Sequence, residues 1–234
     1  MRYFALIALS VLMLTLAAWA QDGNAVSQVQ IASQRLAEQQ KSGLLLDWLS
    51  RGKVAGESVA ARLLNQSEKE MEIQFMPGMV FQDPEGRYQP FILETALTVG
   101  LAPGETRQLN NLRAYNLDHA KGPAVAQTHY NHQTLTDLNA YSPAIKALWA
   151  GIRRSAEGEM QPVVSPMLHK TVVLQRAIWA SLGDPNPSTL EKLEKDIWAD
   201  TLSGAHPFSQ HKAKWMAGHF WKDVTATLEA SKSE

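Results

Sequence analysis

Residues 71–81 read Met-Glu-Ile-Gln-Phe-Met-Pro-Gly-Met-Val-Phe, and the organisation of the chain follows from this stretch. The apolar side chains at positions 71, 73 and 75 alternate with Glu72 and Gln74. A period of two places one set of side chains on a core and the other set in water, so the pattern predicts a strand. Pro77 and Gly78 then predict a tight turn, after which residues 79–81 continue as a second extended piece.

Further short extended segments surround this stretch, from about residue 57 to residue 119. Turn residues separate them, because proline presets φ at the first turn position and glycine adopts a positive φ without strain. Such spacing is typical of a β-sandwich or a partly closed barrel, and we predict a small antiparallel β-sandwich for residues 57–119. The predicted strands are Val59–Asn65, Lys69–Met76, Met79–Gln82, Gln89–Thr95, Ala96–Val99 and Thr106–Leu117.

Residues 21–56 are predicted to form an N-terminal helical segment. Within it, Asn24–Gln40 repeats apolar residues every three or four positions and carries Gln, Ser and Glu on the other face. Ser42 and Gly43 end this helix. The following run, Leu44–Trp48, fits either a further helical turn or a first strand, because a short apolar run does not distinguish the two.

The second half of the chain changes to a helical period. Residues 120–141 are polar with little periodicity, so we predict a domain linker or a long surface loop there. From residue 142 to residue 234 the apolar period is 3.6, and Ser142-Pro143 and Ser165-Pro166 each offer a serine N-cap followed by a proline. We therefore predict a C-terminal domain in which about four helices form a bundle, and an α+β fold overall.

The first 20 residues have the order of a secretory signal peptide. Arg2 provides a minimal basic region, residues 3–17 form an apolar one, and Ala18-Trp19-Ala20 is a small-residue cleavage site. A membrane anchor is the alternative interpretation, because the apolar run has a borderline length for spanning a bilayer. Cleavage predicts a bacterial periplasmic or secreted protein that keeps no stable membrane anchor.

Composition excludes several classes of function. The formal net charge is −1 and no basic block occurs, which argues against a nucleic-acid partner. The chain has no cysteine, so disulfides, thiolate catalysis and cysteine-ligated zinc are excluded. Phosphate-binding loops and the strand-turn-helix motif of a nucleophilic serine are absent from the sequence, and no cofactor is predicted.

Histidines are the remaining natural metal ligands in a cysteine-free exported chain. His129 and His132 are spaced i, i+3, and His119 is near them in sequence. Their convergence would make a metal site, whereas a polar surface loop explains the same residues without one. Because no glutamate follows His129, the metalloprotease signature is absent. We predict no metal site, and name these three histidines as the candidates if one exists.

Gln175-Arg-Ala-Ile-Trp179 is similar to the Gln-x-Ala-x-Trp phrase of bacterial surface thioester domains. The resemblance covers these residues alone, and it implies a glutamine side chain that is cross-linked to a cysteine thiol. That bond cannot form in a chain without cysteine. Gln175 shares a helical stripe with Leu168, Val172 and Trp179, so we expect a buried amide that hydrogen-bonds to backbone groups.

The last predicted helix, from Phe208 to about Glu229, has two distinct faces. Its expected buried stripe is apolar and consists of Ala213, Met216, Ala217, Phe220, Val224 and Leu228. The opposite face carries aromatic and basic residues, namely Phe208, His211, Trp215, His219 and Lys222. Either the helix is interior and this second face packs on the β region, or the face is exposed and binds a partner with Trp215 as the anchor.

Together these features predict an exported, non-catalytic module that binds a protein or small-molecule partner or presents a structural surface. The second face of the last helix is the predicted partner site. The alternative is a hydrolase or a metal-dependent enzyme whose site lies between the β region and the helices. The absence of a catalytic motif favours the module, although catalytic sites are recognised by geometry rather than by sequence.

Overall fold

The computed structural model describes residues 25–121, 126, 128–130, 132–183, 189–202 and 209–234. The predicted signal peptide and Phe208 lie outside the described residues. The described chain is an α+β protein with an N-terminal helix, antiparallel sheets and C-terminal helices. Its helices are α1 Ala25–Lys41, α2 Ser142–Ala156, α3 Pro166–Ser181, α4 Leu190–Leu202 and α5 Gln210–Ala230.

The strands confirm the extended segments predicted from the period of two. They are β1 Leu44–Ser50, β2 Ala55–Asn65, β3 Met71–Phe75, β4 Val80–Gln82, β5 Phe91–Leu93, β6 Leu97–Leu101, β7 Thr106–Asn116, β8 His129–Tyr130 and β9 Gln133–Thr134. The undecided run after α1 is a strand, because it pairs along its whole length with β2. The α+β class is therefore confirmed, while the β-sandwich and the four-helix bundle stay predictions.

Helix starts follow the predicted caps in one case and not in another. Ser165 is the N-cap of α3, and its side chain accepts a hydrogen bond from the Leu168 N–H. The prediction that Ser142 caps α2 is wrong, since the N-cap there is Tyr141, which makes no side-chain capping bond. A short 3₁₀ turn over Asn139–Tyr141 runs directly into α2, so Ser142 already lies inside the helix.

Seven strands form one antiparallel sheet in the order β8-β1-β2-β7-β5-β4-β9. The strands at the two ends of this order, β8 and β9, are consecutive in sequence and only two residues separate them. Such a connection spans at most about 11 Å, so the sheet must curl until its two edges meet. Residues 129–134, within the predicted linker, thus join the edge strand β1 to the edge strand β4.

The stretch of residues 71–81 connects this curled sheet to a second, two-stranded sheet of β3 and β6. Pro77 and Gly78 form the predicted turn, and the Gly78 N–H donates to the Leu93 carbonyl at 2.8 Å. Gly78 has φ +98°, and a Cβ there would lie 2.9 Å from Val29 Cγ2 and 3.1 Å from Ile145 Cγ2. Only glycine fits this turn, at which α1, α2 and both sheets meet.

An aromatic cluster centred on Trp48 fills the curled sheet. Trp48 is fully buried, and its ring lies 4.5 Å from the ring of Phe81 and 5.1 Å from that of Phe91, between centroids. Phe75 of the second sheet contacts the same tryptophan at 6.0 Å. A separate apolar cluster lies among the helices and consists mainly of Ala147, Val173, Ala177, Leu193, Met216, Ala217, Phe220 and Val224.

Gln175 attaches the central helix α3 to strand β7. Its side-chain oxygen accepts from the Asn116 N–H at 3.0 Å, and its side-chain nitrogen donates to the Asn116 carbonyl at 2.8 Å. The amide group therefore bonds to both backbone groups at the end of β7, where the Asn116 N–H is shared with the Val54 carbonyl at 3.1 Å. The expectation of a buried amide bound to backbone groups is confirmed.

Replacement of Gln175 by methionine should destabilise the protein. The Gln175→Met side chain has a similar length but removes the donor to the Asn116 carbonyl, whereas the Asn116 N–H keeps the Val54 carbonyl as a partner at 3.1 Å. The free energy of unfolding should fall by roughly 1–3 kcal/mol, because that is the cost of one unsatisfied buried backbone group. Urea unfolding measures this change. Gln66→Met at an exposed position is the control and should cost less than about 0.5 kcal/mol. An equal effect of both substitutions would contradict the attachment.

Candidate functional site

The three candidate metal ligands do not come together. The His129 side chain is 66% exposed, and its Nδ1 lies 2.8 Å from Asp47 Oδ2. His119 packs edge-on against Trp179, with 6.2 Å between the ring centroids. His132 is buried. In the part of the chain that the structure describes, no group of three or more His, Cys, Asp or Glu side chains could hold a metal ion.

His132 lies in the seam where the curled sheet closes. Its Nε2 is 2.8 Å from the Gln89 carbonyl oxygen, which can only accept, so Nε2 carries the proton. The ring stacks on Phe91 at 5.3 Å between centroids. Burial lowers the pKa of His132, and the Gln89 carbonyl and the charge of Asp83 oppose this shift without cancelling it. His132 is therefore a structural donor in its neutral form.

A buried ionic cluster occupies the joint between the sheet and α3, where the enzyme alternative would place a site. The Glu94 carboxylate follows β5 and is 7% exposed. One of its oxygens accepts from Arg113 Nε at 2.8 Å and from the Tyr115 hydroxyl at 2.5 Å, both on β7. The other oxygen lies 2.7 Å from the Lys170 ammonium on α3. Arg113 also donates to the Thr171 hydroxyl at 2.8 Å.

This cluster is saturated by its own members. Burial raises the pKa of Glu94, but Lys170 and Arg113 outweigh burial and hold that pKa below its ordinary value of 4.5. Burial, together with the charge of Glu94, holds the pKa of Tyr115 well above its ordinary value. Glu94 therefore stays ionised and Tyr115 stays protonated near neutral pH. Both groups have their partners within the cluster, so the cluster joins the sheet to the helix.

A second buried cluster joins the helices. Asp223 of α5 lies 2.9 Å from His169 Nε2 on α3 and 3.2 Å from Arg154 Nη2 on α2, and it accepts from the Gln161 N–H at 3.0 Å. An Asp–His pair can serve in catalysis. Here His169 is fully buried and stacks on Phe220 at 4.6 Å between ring centroids, so its ring has no surface open to solvent. Burial raises the pKa of Asp223, and its three partners together lower it further than burial raises it.

Helix α5 packs with the stripe that its period predicts. Ala213, Met216, Ala217, Phe220 and Val224 are buried, and Leu228 is partly buried. The helix begins at the N-cap Ser209, whose side chain accepts from the Lys212 N–H at 3.2 Å. This stripe faces α2, α3 and α4, which contribute the rest of the helical core. The opposite side of α5 is thereby turned away from the protein interior.

The opposite side of α5 is exposed around Trp215. This tryptophan is 48% exposed, and its ring lies 4.5 Å from that of His219 at a tilt of 53°. His211 and Lys222 are exposed and His219 is half-buried. The interpretation of α5 as an interior helix is therefore wrong for the described residues. Sequence reasoning placed these four side chains on one face, and the structure brings them together there.

The charges on this side have one sign. From Ser209 to Lys222 the sequence contains three lysines and two histidines and no acidic residue. Asp223 follows directly, but it lies on the buried side and is paired there. Lys214 and Lys222 form no ion pair within the described part of the chain. We call the set His211, Lys212, Lys214, Trp215, His219 and Lys222 the α5 outer face.

Sequence reasoning missed both buried clusters and two members of the α5 outer face. Glu94 directly follows the apolar run Phe91–Leu93, and a carboxylate at the end of a buried strand is a usable signal. Asp223 lies beside the apolar stripe of α5, which is a similar signal. The signal for Lys212 and Lys214 is the run of basic residues along the helix, which has to be considered together with the apolar period.

Removal of the His132 imidazole should make the free energy of unfolding less dependent on pH. Because the folded state lowers the pKa below 6.5, the unfolded state binds the proton more tightly. The free energy of unfolding should therefore decrease as pH falls below about 6.5. His132→Gln keeps a donor for the Gln89 carbonyl and should remove part of this decrease, as measured by urea unfolding from pH 8 to pH 5. His211→Gln is the exposed control, and its free energy of unfolding should decrease with falling pH as it does in the parent protein. If both variants showed the same pH dependence, His132 would not be its source.

Glu94→Gln should destabilise the joint between the sheet and α3. The substitution leaves the Arg113 guanidinium and the Lys170 ammonium without a counter-ion at side-chain exposures of only 17% and 20%. We expect a loss of roughly 2–4 kcal/mol at pH 7, against less than about 0.5 kcal/mol for the exposed control Glu68→Gln. The loss should shrink as pH falls below 4.5, the ordinary pKa of glutamate. A loss that did not depend on pH would contradict the ionic role.

Comparisons of the chain with protein-family models, with curated proteins and with solved structures gave no match. Of the helices in the described part of the chain, none combines the length and the apolar character needed to cross a bilayer. The functional residues are therefore identified from the geometry and charge of this chain alone. Those observations favour the α5 outer face over the buried clusters.

Proposed function

We propose that the protein is an exported, non-catalytic binding module that docks an acidic partner on the α5 outer face. The observation that carries this proposal is the half-exposed Trp215 at the centre of a face that has three lysines, two histidines and no acidic residue between Ser209 and Lys222. Tryptophan is enriched among the residues that dominate binding energy. Charges of one sign on a surface select a partner of the opposite sign and speed its approach.

The interior chemistry supports a non-catalytic role. The Glu94 cluster is saturated by Arg113, Tyr115 and Lys170, and the Asp223 cluster is closed to solvent by burial. Polar groups of both clusters therefore hold elements together. Export is supported by the signal-like order of the first 20 residues and by the absence of cysteine from the sequence.

In this proposal a rigid two-part scaffold carries the binding face. The two sheets act as the layers of a small β-sandwich, which is supported by the contact of Phe75 on β3 with Trp48 on β1 at 6.0 Å. Helices α2 to α5 act as a four-helix bundle, which is supported by their own apolar cluster. A binding side chain on a packed helix is held more rigidly than one on a loop.

Trp215→Ala tests the proposal directly. The probe is a fluorescein-labelled peptide in which glutamates flank a central leucine, and its binding is measured by fluorescence anisotropy at low salt. The affinity should fall by at least about tenfold, because truncation of an aromatic anchor typically costs about 2 kcal/mol or more. The melting temperature should change little, because the ring is half exposed in the free protein. Met167→Ala, at another exposed apolar side chain, is the matched control and should bind like the parent.

A comparison of Lys222→Gln with Lys53→Gln shows whether the peptide binds at the α5 outer face or is attracted by the overall charge of the protein. Both lysines are exposed, and both substitutions remove one positive charge. Only Lys222→Gln should lower the affinity for the peptide. The size of this effect should decrease as added salt screens the charges. An equal loss of peptide affinity in both variants would contradict the proposal. A large drop in melting temperature for Trp215→Ala would do so as well, because it would make the ring a core residue.

A further inference from the structure

Helix α5 places Trp215 between two histidines on its outer face. His211, Trp215 and His219 follow one another at intervals of four residues, so they lie in one row along the helix. The rings of Trp215 and His219 contact each other, with 4.5 Å between their centroids. Gly218 occupies the neighbouring i+3 position, and an added Cβ there would meet no atom within 4 Å. The tryptophan is therefore open on one flank and has titratable neighbours along its row.

Both histidines can change the charge of the α5 outer face. His211 is exposed and His219 is half-buried. Within the described residues, neither side chain forms an ion pair or a hydrogen bond. Histidine is the side chain that ordinarily changes its charge between pH 5 and pH 8. When both histidines bind a proton, the face rises from three positive charges to five.

The acidic side chain closest to this row along α5 is Asp223, one turn after His219. Asp223 is buried, and its carboxylate contacts Arg154 and His169 and accepts from the Gln161 N–H. Its oxygens are therefore occupied on the inner side of the helix. The carboxylate does not pair with His219.

The charged groups on the surrounding elements do not pair with the two histidines either. The elements that pack against α5 are α2, α3, α4 and the C-terminal turn Ser231–Ser233. Ion pairs among these elements and their neighbours are Arg153–Glu234, Arg154–Glu159, Lys170–Glu94, Arg176–Asp196, Lys192–Asp196, Glu191–Lys195 and Glu229–Lys232. Of the other described charged side chains there, Lys146, Glu157 and Glu194, none pairs with His211 or His219.

Protonation brings like charges together on the free face. His211 is three residues before Lys214, and His219 is three residues before Lys222. Side chains at i and i+3 are neighbours on a helix surface, so each protonated histidine is repelled by its lysine. A partner carboxylate placed between the two cations replaces this repulsion with attraction. Because coupling between two ligands is reciprocal, an acidic partner favours protonation, and protonation favours the partner equally.

We propose that protonation of His211 and His219 strengthens docking on the α5 outer face, so that the acidic partner binds most tightly in mildly acidic surroundings. This inference rests on the proposed function and adds the regulation of the same site. A cation within about 6 Å of an aromatic ring centroid is attracted to that ring. Protonated His219 thus also steadies Trp215, the proposed anchor.

Peptide binding at two pH values tests this regulation. The probe is the glutamate peptide with blocked termini, labelled with tetramethylrhodamine because fluorescein itself titrates in this range. Its glutamates stay ionised at about pH 8 and at about pH 5.5, since their ordinary pKa is about 4.3. At low salt, the affinity from fluorescence anisotropy should be about three- to tenfold higher at the lower pH, because exposed ion pairs are individually weak.

Histidine variants locate the source of the effect. His211→Gln combined with His219→Gln should reduce the ratio of the two affinities to about one, because glutamine keeps a polar side chain that does not titrate. His129→Gln removes another histidine, which is 66% exposed, and should keep the ratio of the parent protein. Circular dichroism at both pH values checks that each variant is folded.

Proton uptake provides a second readout. If protonation and binding are coupled, formation of the complex near pH 6.5 takes up protons from the buffer. Isothermal titration calorimetry in buffers of different ionisation enthalpy measures this uptake. The parent protein and His129→Gln should take up protons to the same extent. The double variant should take up fewer.

The outcomes separate this inference from the proposed function. Equal affinity at the two pH values, with binding that depends on Trp215, overturns the regulation and leaves the binding face in place. A peptide that binds at neither pH overturns both. A pH effect or a proton uptake that persists unchanged in the folded double variant also overturns the inference, because its source then lies outside His211 and His219.

Discussion

The fold depends on the space available at Gly78. A side chain at this position would need the volume that Val29 of α1 and Ile145 of α2 occupy, and the positive φ excludes most other residues. Beside it, Trp149 Nε1 donates to the Pro77 carbonyl at 3.1 Å, so α2 is hydrogen-bonded to the same turn. One turn thereby sets how closely both helices approach the two sheets, and the rest of the packing follows from that approach.

Polar groups in the interior determine how the elements are oriented. Gln175 and the Glu94 cluster attach α3 to β7, and the Asp223 cluster attaches α3 to α2 and α5. A buried charge requires its partner in one arrangement, because a lost partner leaves an uncompensated charge. Helix α3 therefore has its position fixed on both sides by hydrogen bonds, and the apolar cores fill the space between. The ionisable groups of the two clusters are therefore used in holding α3 against β7, α2 and α5.

The sequence predicted most of the elements, because strand and helix periods are local properties. The alternation in residues 71–75 and the 3.6 period of α5 were sufficient for those elements. The strands at residues 129–130 and 133–134 could not be predicted, since two residues give no period and their pairing depends on edges that are distant in sequence. The partners of Glu94 lie up to 76 residues away, so its cluster also depends on the tertiary fold. Whether Trp215 is covered likewise depends on neighbouring elements and not on its own helix.

A single exposed tryptophan is not by itself informative, because folded proteins expose many apolar atoms. The α5 outer face is informative because exposure coincides with charges of one sign on neighbouring helical turns. The three lysines are separated by two, eight and ten residues, so no two of them occupy the i, i+3 or i, i+4 positions at which charges repel each other along a helix. The buried stripe of α5 supplies the packing that holds the helix in place without Trp215. The exposed ring of Trp215 is therefore expected to add little to folding, and this expectation is the reason that the proposed binding role of the α5 outer face can be tested separately from stability.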